Sequence, residues 1–375
     1  MKLVTTEKTH NGHLAKGCIE CILGKKSVLF ITGKCHYKCF YCPISDDKRN
    51  IDIVKINEFV VKKPDTPEGI QEVIAEINMC SSVGVGITGG DPLADMKRTC
   101  MYIKALKKEF GKKFHIHLYT SLPFLTKERL KNLEEAGLDE IRFHIDIDNE
   151  PSWETIELVK ECGLIIGIEI PVLPGKKDLL EKLLKYIKTT DFIKFVNLNE
   201  LEYSDISEMT LTEKGYLVKN SLSYGITNSE ETAKELVKYG KSIDLAVHYC
   251  SASFKDRVQL GNRLRRRAEN AALPLDIVDE DGLLTRGEIR LEIIDKKKLE
   301  EMASQLQEEF GIPEELLFVE IERLLIAPWI LKEMVSEIID DIETFPWQKD
   351  VEISIVKEYP TSDHFLVEKE VLLRK

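Results

Sequence analysis

The sequence predicts an α/β fold built on a parallel sheet, because short apolar runs alternate along most of the chain with amphipathic helical segments. Strands that alternate with helical segments of about 10 to 15 residues are typical of βαβ units, in which the strands run parallel. Six such units are predicted between residues 27 and about 202. A smaller α+β module of βαβαβ type, with a last strand near Phe365–Leu372, is predicted over residues 279–375.

The predicted strands begin with the apolar run Ser27–Thr32 and continue with Val83–Thr88. Between them, Glu68–Cys80 is predicted to be a helix, because its isoleucine and valine residues fall on one face at helical spacing. The other four predicted strands of the sheet are Phe114–Ser121, Glu140–Asp146, Leu164–Pro171 and Phe192–Glu200.

Composition and charge limit the class of protein. The 375 residues, 43% hydrophobic and 31% charged, indicate a soluble globular protein with two domains. No run approaches the about 20 apolar residues of a membrane span, and the N-terminal residues lack the apolar core of a signal peptide, so we expect a cytoplasmic protein without a membrane partner. The net charge of −12 disfavours a protein whose whole surface binds nucleic acid. Nine cysteines, an odd number, favour metal or cluster ligands over a disulfide framework.

Cys35, Cys39 and Cys42 form a C-x3-C-x2-C pattern directly after the first predicted strand. Three thiolates this close in sequence can hold one cubane iron–sulfur cluster and leave its fourth iron without a protein ligand. A zinc knuckle is the alternative, but zinc usually takes four ligands in a closed tetrahedron. His36 is adjacent to Cys35 and is badly placed to be the fourth ligand, so the pattern favours a cluster.

This pattern, with Tyr41 just before the third cysteine, resembles the radical S-adenosylmethionine (radical SAM) superfamily. The run Gly89-Gly90-Asp91-Pro92, at the end of the next predicted strand, resembles the second motif of that superfamily, with Asp91 in place of the more usual glutamate. The resemblance covers residues 27 to about 202 and implies a partial (β/α)6 barrel. Within the superfamily, the chain resembles archaeal proteins described as related to pyruvate-formate-lyase activating enzymes.

The resemblance implies an oxygen-sensitive enzyme with a [4Fe–4S] cluster on Cys35, Cys39 and Cys42, and with SAM bound at the open iron. In this superfamily, one-electron reduction cleaves SAM, and the resulting 5′-deoxyadenosyl radical removes a hydrogen atom from a substrate. The backbone of Gly89–Pro92 is implied to meet the SAM ammonium group. A small ferredoxin or flavodoxin is the implied electron donor.

Further cofactor-binding candidates are the polar residues near the carboxyl ends of the predicted strands, where α/β barrels bind their ligands. The alternative for each is a hydrogen bond inside the barrel, which is the interpretation we favour for His115 and His117. The resemblance implies that the segment after Glu169 contacts the adenosyl group. The candidates are Thr120, Ser121, His144, Asp146, Glu169, Asn197, Asn199 and Glu200.

A second metal site is predicted from Cys18 and Cys21, a C-x2-C pair, completed by His248 and Cys250 at the end of a later strand. Three cysteines and one histidine suit zinc, and an auxiliary iron–sulfur cluster is equally compatible with the pattern. The alternative is that Cys18 and Cys21 are free thiols.

The predicted domains are an N-terminal arm at 1–26, the barrel at 27–225, a flanking strand with a basic helical segment at 226–278, and a substrate-recognition domain at 279–375. The basic segment is either a helix paired with acidic neighbours or a surface that binds phosphate groups, as in RNA. Its cationic residues are Lys255, Arg257, Arg263, Arg265, Arg266 and Arg267.

The predicted function is therefore hydrogen abstraction by a radical SAM enzyme from an unidentified substrate. The basic segment favours tRNA or another phosphate-bearing molecule. Modification of a peptide, a protein or a cofactor precursor is the alternative, and it includes activation of a glycyl-radical enzyme, although such activases are shorter and do not require a C-terminal module. A non-catalytic iron–sulfur or zinc sensor is the alternative from another class, and Gly89–Pro92 argues against it.

Overall fold

The computed structural model describes residues 9–204, 207–220, 223–341, 344, 347 and 351–374. Its internal contacts divide the chain into two units, residues 1–263 and 264–375. Residues 1–8 of the predicted N-terminal arm lie outside the described residues. Among the described residues, no helix is both long enough and apolar enough to span a membrane.

The first unit alternates strands and helices along the chain. Its strands are β1 (Lys26–Phe30), β2 (Lys55–Ile56), β3 (Phe59–Val60), β4 (Gly84–Thr88), β5 (His115–Ser121), β6 (Glu140–His144), β7 (Ile165–Val172), β8 (Ile193–Glu200), β9 (Val218–Asn220), β10 (Ser223–Ile226) and β11 (Val247–Cys250). Its helices are α1 (Lys16–Ile22), α2 (Pro67–Met79), α3 (Met96–Phe110), α4 (Lys127–Ala136), α5 (Lys177–Thr189), α6 (Ser207–Glu213), α7 (Ser229–Ser242) and α8 (Ala252–Phe254), and α9 (Gly261–Ala271) crosses into the second unit.

The main sheet has the strand order β11-β8-β7-β6-β5-β4-β1-β2-β3. The strands from β1 through β4, β5, β6, β7 and β8 to β11 pair in parallel, whereas β2 and β3 form an antiparallel edge next to β1. The six predicted parallel strands are therefore confirmed, and β11 adds a seventh. Because the strands are parallel, the loops that follow them lie at one end of the sheet.

The two faces of the sheet differ in polarity, because successive side chains on a strand point to opposite faces. The outward side chains are apolar and pack with the helices in one core, where a fully buried isoleucine contributes about 1.5–3 kcal/mol. The inward side chains are largely polar and bond to one another. Examples of the inward set are His117, Tyr119, Arg142, Glu169 and Asn197, and examples of the outward set are Leu118, Ile141, Ile168 and Val196.

Helix α1 packs against the inner face near the beginnings of β1, β4 and β5. The Glu20 carboxylate of α1 accepts a hydrogen bond from Lys26 Nζ at 3.0 Å, and Cys18 Sγ lies 3.3 Å from Asn197 Nδ2. A Cβ at Gly17 would lie 2.6 Å from Arg142 Nη2, so only glycine permits this approach. The predicted N-terminal arm is therefore, from residue 16 onward, part of the barrel interior.

The second unit is a six-stranded antiparallel sheet with helices packed on one face. The predicted βαβαβ pattern omitted two short strands and did not give their antiparallel pairing, because two- to four-residue strands leave almost no periodic signal. The strands are β12 (Ile277–Val278), β13 (Leu284–Leu291), β14 (Leu317–Val319), β15 (Arg323–Ile326), β16 (Val351–Glu358) and β17 (Leu366–Arg374), and the helices are α10 (Lys296–Phe310) and α11 (Pro328–Asp340).

Candidate active site

A cavity of about 480 Å³ lies at the carboxyl ends of the parallel strands of the first unit. The cysteine loop after β1, the glycine turn after β4 and the last residues of β5 to β8 line it. These segments are far apart in sequence and meet here because parallel strands end at the same edge of a sheet. This is the edge at which α/β barrels bind ligands.

Most of the residues predicted to bind cofactor face this cavity, and three do not. The lining includes Cys35, Cys39, Tyr41, Cys42, Gly89, Gly90, Asp91, Thr120, Ser121, His144, Glu169, Asn199 and Glu200. Pro92 is buried, Asp146 accepts the Trp153 indole N–H through its backbone oxygen, and Asn197 binds Cys18 and Glu169 inside the barrel.

The cysteine loop is held in place by the backbone on one side and by aromatic rings on the other. The Gly33 N–H donates to Ile51 O at 2.8 Å, and a Cβ at Gly33 would lie 1.6 Å from Lys48 O, so the loop can close only with glycine there. The Phe40 ring stacks on Tyr216, and the Ser204 hydroxyl donates to Cys42 O at 3.0 Å. These contacts present the three thiols to the cavity.

The three thiols of the loop suit a metal cluster in chemistry and placement. Cys35, Cys39 and Cys42 are free, half-buried and face the same cavity. Burial and then the neighbouring thiols Cys42 and Cys35 raise the pKa of Cys39 to about 11. Crowded thiols resist ionisation when no metal is bound. Metal coordination stabilises the thiolate form and so deprotonates them.

No three His, Cys, Asp or Glu side chains in the described ranges are grouped closely enough to hold a single metal ion. The three thiols of the cysteine loop therefore do not converge on one point, and a cubane, which has each thiolate on a different iron, does not require them to. The residues of the loop therefore fit a cluster better than a single ion.

The second predicted metal set, Cys18, Cys21, His248 and Cys250, does not come together as a site for a metal ion. The Cys18 thiol is buried beside donors from Asn197 and Arg142. The Cys250 thiol accepts a hydrogen bond from Gln259 Nε2 at 3.3 Å. Two of the four predicted ligands are thus engaged by protein groups, and the geometry gives no support to a second metal.

Asp91 fixes the glycine turn to the end of β5. Its carboxylate accepts hydrogen bonds from the Thr120 hydroxyl at 2.8 Å and from the backbone N–H groups of Leu93 at 2.9 Å and Ser121 at 3.0 Å. Burial raises the pKa of Asp91, and these hydrogen bonds act against the rise. The turn itself binds the cysteine loop, because the Gly90 N–H donates to Thr32 O at 2.7 Å. The glycine turn is therefore held to the end of β5 by the buried Asp91 carboxylate, and to the cysteine loop by the backbone of Gly90.

Glu169 presents a carboxylate to the cavity that is held by three donors. Arg142 Nη1 and Asn197 Nδ2 each donate to one oxygen at 3.0 Å, and Asn199 Nδ2 donates to the other at 3.0 Å. Arg142 is itself buried and also binds Glu140 at 2.6 Å. The carboxylate is thus fixed in one orientation and accepts hydrogen bonds only.

Arg142 is the main site residue that the sequence predictions missed. It lies on β6 two residues before His144, so it shares the inner face with a residue that was predicted. The signal available in the sequence was the alternation Glu140-Ile141-Arg142-Phe143-His144, in which polar residues occupy every inner position.

Lys255, Arg263 and Arg265 of the basic segment have acidic or carbonyl partners. Lys255 binds Glu202 at 2.7 Å, Arg263 binds Glu58 at 2.5 Å, and Arg265 binds the Glu280 carbonyl. Arg267 is buried. These contacts favour the interpretation of helices paired with acidic neighbours over that of a phosphate-binding surface.

Models of protein families match part of each unit. A model described as the radical SAM superfamily matches residues 29–187, and one described as a domain of unknown function (DUF8061) matches residues 282–372. A protein of Methanocaldococcus jannaschii with the provisional name glycyl-radical enzyme activating enzyme is 39% identical over 374 residues, covering 96% of this chain and 94% of that protein. A protein of the same organism with the provisional name GTP 3′,8-cyclase is 24% identical over 217 residues, covering 55% of this chain and 64% of that protein.

Two solved structures are less similar to this chain than these two proteins are. Methylornithine synthase has a TM-score of 0.39 at 15% identity and covers 60% of this chain and 70% of its own. Coproporphyrinogen III oxidase from Escherichia coli has a TM-score of 0.32 at 9% identity and covers 86% of this chain and 92% of its own. Scores at this level support no inference about activity.

Proposed function

Because the chain belongs to the radical SAM superfamily and is an enzyme of that class, we propose that Cys35, Cys39 and Cys42 hold a [4Fe–4S] cluster beside a shared SAM and substrate cavity. The observation that carries the proposal is that three free thiols and the Gly89–Asp91 turn line one cavity. When bound, the cluster and SAM supply one-electron reductive cleavage to a 5′-deoxyadenosyl radical, with the electron coming from a ferredoxin or flavodoxin.

The residues of the chain orient the ligands and exclude water. The Gly89–Asp91 turn leaves its backbone beside the cavity because Asp91 is anchored below it by Thr120 and Ser121. Glu169, fixed by Arg142, is an acceptor for hydroxyl or ammonium groups of the bound cofactor. The aromatic rings of Phe40 and Tyr216 close one side of the loop against solvent.

The first test is 5′-deoxyadenosine formation by the reconstituted protein, given dithionite and SAM without oxygen. The wild type is expected to form the product and Cys39→Ala to form none, with iron content reduced. Cys100→Ala is the matched control, because that thiol is half-buried on α3 and does not line the cavity. Equal iron content and equal product from Cys39→Ala and the wild type would refute the cluster assignment.

For the substrate, we propose a protein, and specifically a glycyl residue of a partner enzyme. Two observations support this choice over tRNA. The relative that is 39% identical across nearly the whole chain carries the name of an activating enzyme for glycyl-radical enzymes. In the basic segment, Lys255 and Arg263 are paired with glutamates rather than free to bind phosphate. The second unit, which an activase of the usual length does not require, is proposed to recognise this partner.

Isotope transfer distinguishes the substrate classes. The reduced, SAM-loaded enzyme is incubated with a protein fraction from cells grown on α-deuterated glycine, or with a deuterated RNA fraction from the same cells. Deuterium in 5′-deoxyadenosine from the protein fraction, accompanied by a glycyl-radical EPR signal, is expected. Deuterium only from the RNA fraction, with RNA binding lost on replacing Arg265–Arg267 by alanine, would favour tRNA instead.

A further inference from the structure

Glu202 and Lys255 form an ion pair in the wall of the cavity. The Lys255 ammonium donates a hydrogen bond to Glu202 Oε1 at 2.7 Å, and both side chains line the cavity. Glu202 follows the end of β8, and Lys255 is the first residue of a π-helical segment, Lys255–Leu260, that follows β11 and α8. Short π-helical turns are rare and are frequent at functional sites.

The pair lies where the segment after β8 meets the cysteine loop. The hydroxyl of Ser204, two residues beyond Glu202, donates to Cys42 O at 3.0 Å. The groups proposed to orient the cofactor are on other elements, since Glu169 is on β7 and the Gly89–Asp91 turn follows β4. The pair therefore shares the cavity with the proposed cluster and is not among the groups proposed to bind SAM.

The backbone near each member of the pair is held in place. Glu202 forms a β-bridge with Gly225 of β10. The Glu200 carboxylate accepts a hydrogen bond from the Ala252 N–H at 2.9 Å, at the start of the helical turn that leads to Lys255. A site held in one geometry before its ligand arrives loses less entropy on binding.

The pair has further hydrogen-bonding capacity on both of its members. A lysine ammonium has three donors, and an ionised carboxylate can accept on both oxygens. Among the residues that the structure describes, Lys255 Nζ has one acceptor, Glu202 Oε1, and Glu202 Oε2 has no donor. The side chains of Glu202 and Lys255 are 28% and 30% exposed, so a molecule in the cavity can reach both. A donor and an acceptor thus stand side by side in the cavity wall.

This arrangement favours an uncharged amide over an anion. A phosphate or carboxylate at Lys255 would lie beside the negative charge of Glu202, and like charges repel. In an extended chain, the N–H and C=O of one residue point to the same side, as in the hydrogen-bonded pairs of an antiparallel ladder. The C=O of such a residue can accept from Lys255 while its N–H donates to Glu202.

We propose that Glu202 and Lys255 bind the backbone of the protein substrate, through the N–H and C=O of one extended residue at or beside the glycyl residue. The inference rests on the proposed function, in which a glycyl residue of a partner enzyme is the substrate, and it names the groups that hold that segment in the cavity. Backbone contacts hold a chain without reading its side chains, which suits a target residue that has none.

The test measures how deuterium transfer into 5′-deoxyadenosine depends on the concentration of the protein fraction from cells grown on α-deuterated glycine. Lys255→Met and Glu202→Gln are each expected to raise the half-saturating concentration about 10- to 100-fold, because each weakens or removes a hydrogen bond to a charged group. Equilibrium dialysis of SAM on the same reconstituted variants should give the wild-type dissociation constant.

Two controls separate substrate binding from a general structural effect. Lys177→Met removes a lysine that pairs with Glu235 at 2.7 Å on α5, outside the cavity lining, and it should leave the half-saturating concentration unchanged. The double variant Glu202→Lys with Lys255→Glu restores a neutral pair in reverse order. It is expected to recover most of the binding that Lys255→Glu alone loses, and it replaces Lys255→Met if that variant does not fold.

Half-saturating concentrations equal to that of the wild type in both single variants would overturn the inference and leave the proposed function intact. A SAM dissociation constant that rises in parallel with the half-saturating concentration would also overturn it, because the pair would then act through the cofactor site. Deuterium transfer from the RNA fraction alone, in the wild type, would overturn the proposed substrate and the inference with it.

Discussion

Both units of the protein bury charged side chains against a sheet, but they do so in different ways. In the first unit, Arg142 connects Glu140 to Glu169, and Glu169 faces the cavity. In the second unit, Arg323 lies between Glu288 at 3.1 Å and Glu358 at 2.8 Å, and Glu358 also binds Arg286 at 2.9 Å.

The comparison shows when a buried charge indicates function. Both networks pair acids with arginines and lower carboxyl pKa values, since Glu140 and Glu358 both fall to about 2 against the effect of burial. Perturbed pKa values alone therefore do not separate the two units. The difference is that the first network ends at a carboxylate that faces a cavity beside three thiols. In the second network, the described carboxylates bind arginines that they share with other carboxylates of the same network.

The largest effect is expected from Arg142→Met. It leaves Glu140 and Glu169 buried without their guanidinium, which costs about 3–5 kcal/mol of unfolding free energy, and it releases Glu169 from its orientation in the cavity. Denaturant unfolding and equilibrium dialysis of SAM on the reconstituted protein measure the two losses. Destabilisation with unchanged SAM affinity would show that the first network, like the second, is only structural.

Arg323→Met is the counterpart in the second unit, with a stability loss of about 3–5 kcal/mol because Glu288 and Glu358 lose a shared partner. Hydrogen exchange on the whole protein should locate the loss in β13, β15 and β16. SAM cleavage should be retained. A fall in SAM cleavage equal to that of Arg142→Met would erase the distinction between the networks.

Mild acid is expected to weaken the first unit before the second. Burial lowers the pKa of His248 from 6.5 to about 4, and it lowers those of His117 and His144. A group whose pKa is lower in the folded state stabilises the fold fully at a pH above its unfolded-state pKa. That stability is lost as the pH falls from the unfolded-state pKa to the folded-state pKa. For His248 the loss runs from about pH 6.5 to 4 and is on the order of 2 kcal/mol at pH 5.

In the second unit the groups whose pKa is lowered include carboxylates such as Glu358. The stabilising effect of Glu358 is lost only between about pH 4.5 and 2. Hydrogen exchange at pH 7 and pH 5, corrected for the intrinsic rate, measures the difference. Equal protection losses in both units at pH 5 would contradict it.

The smallest effect is expected from an exposed ion pair. Lys176 Nζ lies 2.8 Å from Asp148, with 42% and 52% of the two side chains exposed. Solvent screening reduces such pairs to about 0–1 kcal/mol, so Lys176→Ala should change the unfolding free energy by less than about 1 kcal/mol. A loss as large as that of Arg323→Met would mean that burial is not what distinguishes these pairs.

The superfamily and the parallel strand order could be predicted from the sequence because their signals are local. Cys35, Cys39 and Cys42 lie within eight residues, and the glycine turn directly follows a strand, so spacing alone conveys the chemistry. The predicted family and enzyme class are confirmed by the family comparisons. The predicted ligands and cofactor contacts stay predictions, although most of these residues do line one cavity.

The predictions that the geometry does not support depended on partners distant in sequence. Cys18 and Cys250 have the sequence context of metal ligands, but their surroundings are set by Asn197, Arg142 and Gln259. The sequence left two interpretations of the basic segment open, and the glutamate partners of Lys255 and Arg263, which favour a paired helix, are distant in sequence.

By itself, the sequence determined which chemistry the protein carries, since thiol spacing and strand periodicity are properties of neighbouring residues. The tertiary structure alone decided which distant groups meet at the cavity. Tyr41 and His144 are 103 residues apart and become partners only because the cysteine loop and β6 end at the same edge of the sheet. Hydrogen-bond direction and burial depend on such long-range contacts, and no local pattern encodes them.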